Sequence, residues 1–465
     1  MRERGTARET APVARGRASE TVLGAGRPSA RLGRELVAVR SGGRMVRLDT
    51  PTLLVRAVGR RDVSLALAHA VSALACAAVD LHGTREQRTA AARTVLDGGR
   101  LALLLPDATP AAHRTDGPAT ATRLPPRGEE ADAHVTFTED MADGSLTAVM
   151  AGTMLGPPGQ GARVLLDALR FGWPLLVSVG VGAADAVLRG VVGAAGVAGV
   201  RSLGSSLARR AVTDACADLL VTDCLVTVAV RALHLAPEHT AFLSAAARHL
   251  GPRLLREGAE GLLPVLGPHA HSTHGEFGAL HGRLRTLTAP TSYGPGGLDV
   301  LTALVTRPGR HAPPVPDGVH VPGGPLPPPV AVPVTATARP GLRLHAEDVS
   351  GPLGALVRLL AHEAALVRAE FRTGRAAGSA PVSRAAADRY ALLHAAACCL
   401  GVARTADPDF LGTPHWLTAA LSRVVRRLGL PLPQGTEESV DAVYEEALTR
   451  CRDGVALDLY AGRWP

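Results

Sequence analysis

Apolar residues recur at helical spacing over two long parts of the chain, from Thr52 to Val95 and from Ala162 to Leu255. Such spacing predicts amphipathic helices that bury one face. The second part is interrupted at Gly204 and at Pro237, where glycine and proline favour breaks between helices. The pattern therefore predicts a bundle of antiparallel helices.

The pattern changes between Leu101 and Val149, where Pro, Thr, Asp and Gly become frequent. Only short runs, such as Val135 to Phe137 and Leu146 to Val149, are typical of strands. The sequence thus predicts a small β region between two helical regions.

A Pro- and Gly-rich segment, Pro308 to Pro340, predicts an extended connector, because proline fixes φ and removes a backbone donor. Beyond it, we expect Ser383 to act as an N-cap, and Thr413 to cap a helix that Pro414 begins. The four helices predicted here are Leu353 to Phe371, Ser383 to Val402, Thr413 to Leu428 and Thr436 to Arg452. The expected domains are a disordered arm (1–34), an N-terminal helical region (35–100), a reduced β domain (101–152), a helical bundle (153–307), a linker (308–345) and a further helical module (346–465).

Composition narrows the classes of protein. The chain has 465 residues and a formal net charge of +8, but only 3% aromatic residues and no basic stripe interleaved with them, which argues against nucleic acid as a partner. Its six cysteines show no Cys-x-x-Cys spacing and are expected to be free, buried thiols of a cytoplasmic protein. The apolar run from Trp173 to Val200 contains Asp185 and Arg189, so we expect no membrane span.

Several short motifs occur in a distinctive order. Gly83 to Arg88 reads Gly-Thr-Arg-Glu-Gln-Arg, and Leu101 to Pro106 follows it. Gly159-Gln160-Gly161 then precedes a long helical segment, and Arg201 to Leu207 reads Arg-Ser-Leu-Gly-Ser-Ser-Leu before Ala217-Asp218-Leu219. This order resembles the acyl-CoA dehydrogenase/oxidase flavoprotein family, over roughly Leu36 to Leu304.

The resemblance implies a mainly α fold: a helical N-terminal region, a reduced β middle domain and a C-terminal four-helix bundle, here with an appended helical module. It also implies FAD as cofactor, an acyl-CoA or acyl-carrier thioester as ligand, and oxidation of the bond between its α- and β-carbons. Arg201 matches the family arginine that reaches the FAD diphosphate across a subunit contact, although a turn arginine in solvent or in a surface ion pair explains it equally. Gly204 lies in the same turn, and Arg210 stands where the family has a glutamine.

The proton acceptor that this chemistry requires is missing from both positions at which the family places it. Tyr293 occupies the acidic position of the late turn, and Leu169, before Arg170, occupies the alternative position on an earlier helix. Glu276 is the replacement we name. An ordinary surface or N-terminal helix carboxylate explains Glu276 more simply, and the same holds for Glu257, Glu260 and Asp299.

Other chemistry-bearing patterns favour structural explanations. His269, His271, His274 and His281 lack a second ligand set, so a solvated loop is expected rather than a metal site. Leu175 to Gly182 imitates a dinucleotide-binding turn, but close helix packing through small residues explains it better. Two functions therefore remain open: an FAD-dependent dehydrogenase, or a catalytically impaired homologue that serves as a structural or regulatory partner subunit. In either case we expect a homo-oligomer or a hetero-oligomer with an active paralogue.

Overall fold

The computed structural model of the chain describes residues 33–35, 37, 47–104, 133–140, 146–149, 153–157, 160–197, 201–271, 274, 278, 280, 282–284, 287, 296–306, 311–327, 339–344 and 349–462. Within them the helices are α1 (Asp49–Arg61), α2 (Val63–His82), α3 (Arg85–Leu96), α4 (Gly161–Val197), α5 (Ser206–Leu235), α6 (Thr240–Gly261), α7 (Leu263–Leu266), α8 (Gly297–Thr306), α9 (Gly351–Arg372), α10 (Ala380–Thr405), α11 (Pro414–Arg427) and α12 (Ser439–Arg452). The architecture is mainly α, as the hydrophobic pattern predicted.

The β region is one small antiparallel sheet built around a central strand. Its strands are β1 (Arg100–Leu104), β2 (Ala133–Asp140), β3 (Leu146–Val149) and β4 (Thr153–Leu155). Strand β2 pairs with β1 along one edge and with β3 and β4 along the other. Both predicted strand runs are therefore confirmed. A separate parallel pair, β5 (His311–Pro314) and β6 (Arg339–Gly341), forms within the Pro-rich connector.

Helices α4, α5 and α6 are separated at the two predicted breaks. A 3-10 turn, Arg201–Gly204, precedes α5, and a second turn, Pro237–His239, precedes α6. Glycines allow the helices to approach closely: a Cβ on Gly182 would lie 2.2 Å from the backbone oxygen of Arg56 in α1. The dinucleotide-like run from Leu175 to Gly182 lies within α4, so the prediction of close helix packing is confirmed.

Among the residues that the structure describes, two helices are long and apolar enough to cross a membrane: α2 and the Arg163–Ala195 part of α4. Their mean hydropathies are 1.7 and 1.8, and 67% and 83% of the apolar windows are buried inside the protein. Packing within the bundle accounts for this apolar character. In α4 the buried carboxylate of Asp185 also receives a hydrogen bond from Arg60 at 2.9 Å.

The C-terminal helices pack against the bundle. Helix α10 contacts α5, α6 and α8, while α11 and α12 both contact α5. The prediction that Ser383 is an N-cap is wrong: helix α10 begins at Ala380, after Ser379, because Pro381 fits the first helical turn. The Ser383 hydroxyl instead donates to the backbone oxygen of Ala376 at 2.7 Å.

Candidate functional site

The resemblance assigns a proton acceptor to two positions, and the structure describes one of them, Leu169. Leu169 lies on α4 with 0% of its surface exposed, inside the hydrophobic core. Its neighbour Arg170 is also buried, and the hydroxyl of Ser244 on α6 donates to the Arg170 backbone oxygen at 2.5 Å. Tyr293 and Glu276 lie outside the described residues. The earlier of the two positions is therefore part of the apolar core.

A carboxylate that the sequence reasoning missed lies on the same helix, one turn before Arg170. Asp167 Oδ2 is 3.1 Å from His82 Nε2, at the end of α2. Arg170 Nη2 lies 3.7 Å from Asp167 Oδ1, an atom that accepts no hydrogen bond within the described part of the chain. Burial lowers the pKa of Arg170, and Asp167 opposes that shift. A histidine–carboxylate pair of this kind can hold and transfer a proton.

Local sequence fixes the corner that holds His82. Helix α2 ends there because Gly83 leaves the helical conformation and Thr84 opens α3 with a capping box, its hydroxyl accepting from the Gln87 backbone at 3.2 Å. The Gln87 side chain donates to the Met154 backbone oxygen of β4 at 2.8 Å. This ties the sheet to the His82–Asp167 pair. The sequence signals were the Asp-x-x-Arg spacing and a histidine directly before Gly83-Thr84.

A second histidine on α2 is buried against the sheet. His69 is 2% exposed, and burial together with the nearby Arg100 lowers its pKa to about 4. Its Nε2 has no hydrogen-bond partner among the residues described. The neighbouring Ser72 hydroxyl accepts from the Leu101 backbone at 3.1 Å, which joins α2 to β1. The His69 imidazole is therefore neutral at pH 7.

Of the residues that the resemblance assigns to FAD, Gly204 and Arg210 have described surroundings. Gly204 ends the 3-10 turn that contains the Arg201 backbone, and a Cβ on Gly204 would meet nothing within 4 Å. Arg210 forms an ion pair with Glu437 and lies 3.2 Å from Asp214. Two carboxylates at this guanidinium oppose the approach of a diphosphate. A flavin-binding role for Arg210 stays a prediction, which these two carboxylates do not favour.

The other acidic candidates are surface ion pairs. Glu257 accepts from Arg427 at 2.8 Å, Asp299 lies 2.5 Å from Arg384, and Glu260 lies 3.8 Å from Arg256. All three carboxylate side chains are at least 39% exposed. These contacts agree with the surface alternative rather than with a base in an apolar cleft. Within the described residues, no cluster of histidine, cysteine and acidic side chains could hold a metal ion.

The densest group of buried charges lies elsewhere, where α1, α4 and α5 meet the last part of the chain. Arg56 donates to Asp223 at 2.9 and 2.5 Å and to Asp458 at 3.1 Å. Arg60 donates to Asp185 at 2.9 Å and to Asp458 at 2.5 Å. Despite its burial, the two arginines lower the pKa of Asp458 to about 2. We call these five residues the buried charge cluster.

The buried charge cluster holds the C-terminal segment in place. The Leu459 backbone donates to Asp223 at 2.9 Å, and the Arg56 guanidinium lies 5.6 Å from the centre of the Tyr460 ring. Asp458 Oδ1 accepts from the backbones of Tyr460 and Ala461 at 3.0 and 3.1 Å. The carboxylate thus has partners on both oxygens and is already used structurally.

Of the comparisons with known proteins, the one with solved structures bears on the fold. No family model matches the sequence, and no curated protein matches it. Among solved structures, the chain is similar to an acyl-CoA dehydrogenase from Bacillus anthracis complexed with FAD, with a TM-score of 0.54 and 13% identity over 94% of this chain and 83% of that one. It is also similar to butyryl-CoA dehydrogenase from Megasphaera elsdenii, with a TM-score of 0.46 and 15% identity over 62% of this chain and 89% of that one. A third similar structure is nitroalkane oxidase from Podospora anserina, with a TM-score of 0.44 and 14% identity over 61% of this chain and 85% of that one.

The likeness establishes an acyl-CoA dehydrogenase-like, mainly α fold. At 13% identity it establishes the fold alone. Because the first alignment covers 94% of the chain, it takes in most of α9 to α12 as well as the bundle. The sequence resemblance had ended near Leu304, so the likeness in structure extends further than the motifs.

Proposed function

We propose that the protein is a catalytically impaired homologue of the acyl-CoA dehydrogenase/oxidase flavoproteins and acts as a structural or regulatory partner subunit. The observation that carries this proposal is Leu169, fully buried where the family resemblance expects a proton acceptor. Leucine cannot accept a proton, and loss of general-base catalysis costs on the order of two to four decades in rate.

The environment of Arg210 supports the same proposal. Its ion pairs with Glu437 and Asp214 use the guanidinium that would otherwise face FAD phosphates. In this proposal the protein works in the cytoplasm, as a homo-oligomer or as a hetero-oligomer with an active paralogue. The bundle supplies the shared architecture for that pairing, because related chains present related surfaces.

The visible spectrum of the purified full-length chain tests the proposal, since oxidised flavin absorbs visible light. We expect a colourless preparation that remains colourless after incubation with FAD and removal of the free cofactor. A chain that retains FAD in a one-to-one ratio would show that the Arg210 surroundings do not prevent flavin binding.

A second candidate function, FAD-dependent α,β-oxidation of an acyl thioester, is favoured by the His82–Asp167 pair. Asp167 lies two residues before Leu169 on α4, and its Oδ1 accepts no hydrogen bond among the described residues. The pair would hold the proton taken from the α-carbon. FAD, the family's hydride acceptor, would have to be held with Arg201 but without Arg210.

Anaerobic bleaching of bound flavin by acyl-CoA thioesters tests this candidate. If the candidate is correct, Asp167→Asn slows bleaching by about two to four decades, since it removes the acceptor. Glu276→Gln is the matched carboxylate change at the residue named from the sequence. Bleaching lost only in Glu276→Gln would assign the base to Glu276, and bleaching unchanged in both variants would remove both.

A further inference from the structure

Part of the connector, residues 318–327, lies against α5 and is bound there through its backbone carbonyls. Arg231, on α5, donates to the backbone oxygens of Gly318 at 2.9 Å and of Gly324 at 3.1 Å. Arg47, two residues before α1, donates to the same Gly324 oxygen at 2.9 Å. The connector, α5 and the start of α1 therefore meet at one place.

His234, three residues after Arg231 on α5, joins the same three parts through both ring nitrogens. The Leu48 backbone N–H, directly before α1, donates to His234 Nε2 at 3.2 Å. His234 Nδ1 lies 2.7 Å from the Pro327 backbone oxygen, which can only accept, so Nδ1 must carry a proton. Nε2 must be without one, because it accepts from a backbone donor. The two contacts together require the neutral Nδ1–H tautomer.

The charged groups that face the His234 ring come from α1 and α5. Within the described residues these are Asp49 and Arg47 at the start of α1 and Arg231 on α5. The ring is 3% exposed. Burial lowers the pKa of His234, the hydrogen bond to Pro327 and the charge of Asp49 oppose this shift, and both arginines add to it. The neutral ring that the hydrogen bonds require is therefore the predominant form at pH 7.

We propose that His234 is a pH-sensitive latch, which binds the start of α1 to α5 when the ring is neutral and releases it when the ring is protonated. A proton on Nε2 would point at the Leu48 N–H, so two donors would face each other and that hydrogen bond would be lost. The Pro327 contact is kept, because Nδ1–H donates in both forms. The latch does not depend on the proposed function, since none of its residues belongs to the His82–Asp167 pair or to the positions assigned to FAD.

Amide hydrogen exchange of the full chain at pH 7.5 and pH 5.0 tests the latch, with each rate divided by the intrinsic rate at that pH. An imidazole with an ordinary pKa of about 6.5 is protonated about 30 to 1 at pH 5.0, so protection of the Leu48 amide should fall by up to about 30-fold. The Gly324 amide donates to the Val321 backbone oxygen at 3.1 Å, inside the connector, and should keep its protection.

Two histidine variants separate the latch from other titrating groups. His234→Gln keeps a neutral acceptor for the Leu48 amide but has no titratable ring, so Leu48 protection should be equal at the two pH values. His362→Gln is the matched control, because His362 is an exposed histidine on α9. This variant should lose Leu48 protection at pH 5.0 to the same extent as the unmodified chain.

The tautomer is a second test that needs no variant to fold. Nitrogen-15 chemical shifts of the His234 ring, assigned through its proximity to the Leu48 amide, should show Nδ1 protonated and Nε2 unprotonated at pH 7.5. The proposal is overturned by an Nε2–H tautomer, by Leu48 protection that does not change between the two pH values, by an equal fall in His234→Gln, or by an equal fall at Gly324.

Discussion

Two regions of the bundle differ in their buried charge: one contains a network of ion pairs, and the other is mainly apolar. In the buried charge cluster, the arginine–aspartate contacts measure 2.5 to 3.1 Å, and Asp458 connects the end of the chain to α1. At Leu169, on α4 like Asp185, the corresponding wall is apolar. Asp167, two residues earlier on α4, is paired with His82. The comparison shows that the buried charge cluster anchors the C-terminal segment, whereas the surroundings of Leu169 are apolar.

Removal of one charge from the buried charge cluster should give the largest effect. Asp458→Asn leaves Arg56 and Arg60 short of one carboxylate in a site closed to solvent. Breaking a buried pair costs about 3–5 kcal/mol of the free energy of unfolding. Denaturant unfolding measures the loss. Exposed Asp453→Asn, a few residues earlier in the chain, is the control and should change the free energy of unfolding by less than about 0.5 kcal/mol.

The same residue gives the stability a defined pH dependence. Because the folded pKa of Asp458, about 2, lies below its ordinary value of 3.8, its contribution is present above pH 4 and is lost as the pH falls towards 2. The free energy of unfolding should therefore fall less steeply between pH 4 and pH 2 in Asp458→Asn. If the free energy of unfolding falls with equal slope between pH 4 and pH 2 in the two proteins, this assignment is contradicted.

Close contact between α1 and α4 gives the next largest effect. In Gly182→Ala the new Cβ would lie 2.2 Å from the Arg56 backbone oxygen, so α1 must move. Overpacking of this kind costs about 1–3 kcal/mol. Gly193→Ala on the same helix is the matched control, since nothing lies within 4 Å of its Cβ. Equal midpoints of denaturation for the two variants would disprove the close approach.

The His82–Asp167 pair should matter less for stability than the buried charge cluster. Asp167→Asn replaces a charged acceptor by a neutral one, at a cost of about 1–2 kcal/mol in the free energy of unfolding. Exposed Asp97→Asn is the control for loss of a carboxylate. A loss as large as that in Asp458→Asn would show that the two regions do not differ in the way proposed.

The smallest effect is expected at Arg210, whose partner Glu437 is 68% exposed. Arg210→Gln should lower the free energy of unfolding by less than about 1 kcal/mol, because solvent screens surface ion pairs. It should also leave the protein without bound flavin. A loss as large as that in Asp167→Asn would show that solvent does not screen this ion pair.

Local patterns predicted the helical framework well. The breaks at Gly204 and Pro237 are confirmed because glycine and proline act on the backbone where they occur. Thr413 does precede a helix that starts at Pro414, although its hydroxyl donates to the Phe410 backbone at 2.7 Å. The error at Ser383 arose because the Ser379-Ala-Pro sequence starts the helix earlier.

Tertiary charge pairing could not be predicted from the sequence. Arg56 and Asp223 are 167 residues apart, and Arg56 and Asp458 are 402 apart, so no local period connects them. The His82–Asp167 pair joins two helices that are separated by the sheet in the sequence. Arg210 was assigned to FAD from its place in a motif, whereas its partner Glu437 belongs to the distant C-terminal region.

The most direct test of the central claim is an anaerobic absorption spectrum of the FAD-equilibrated full chain during titration with an acyl-CoA thioester. We predict that oxidised flavin absorbance stays unchanged at every thioester concentration, since no carboxylate occupies the Leu169 position. Stoichiometric loss of that absorbance, with formation of the α,β-unsaturated thioester, would show that the chain is an active dehydrogenase.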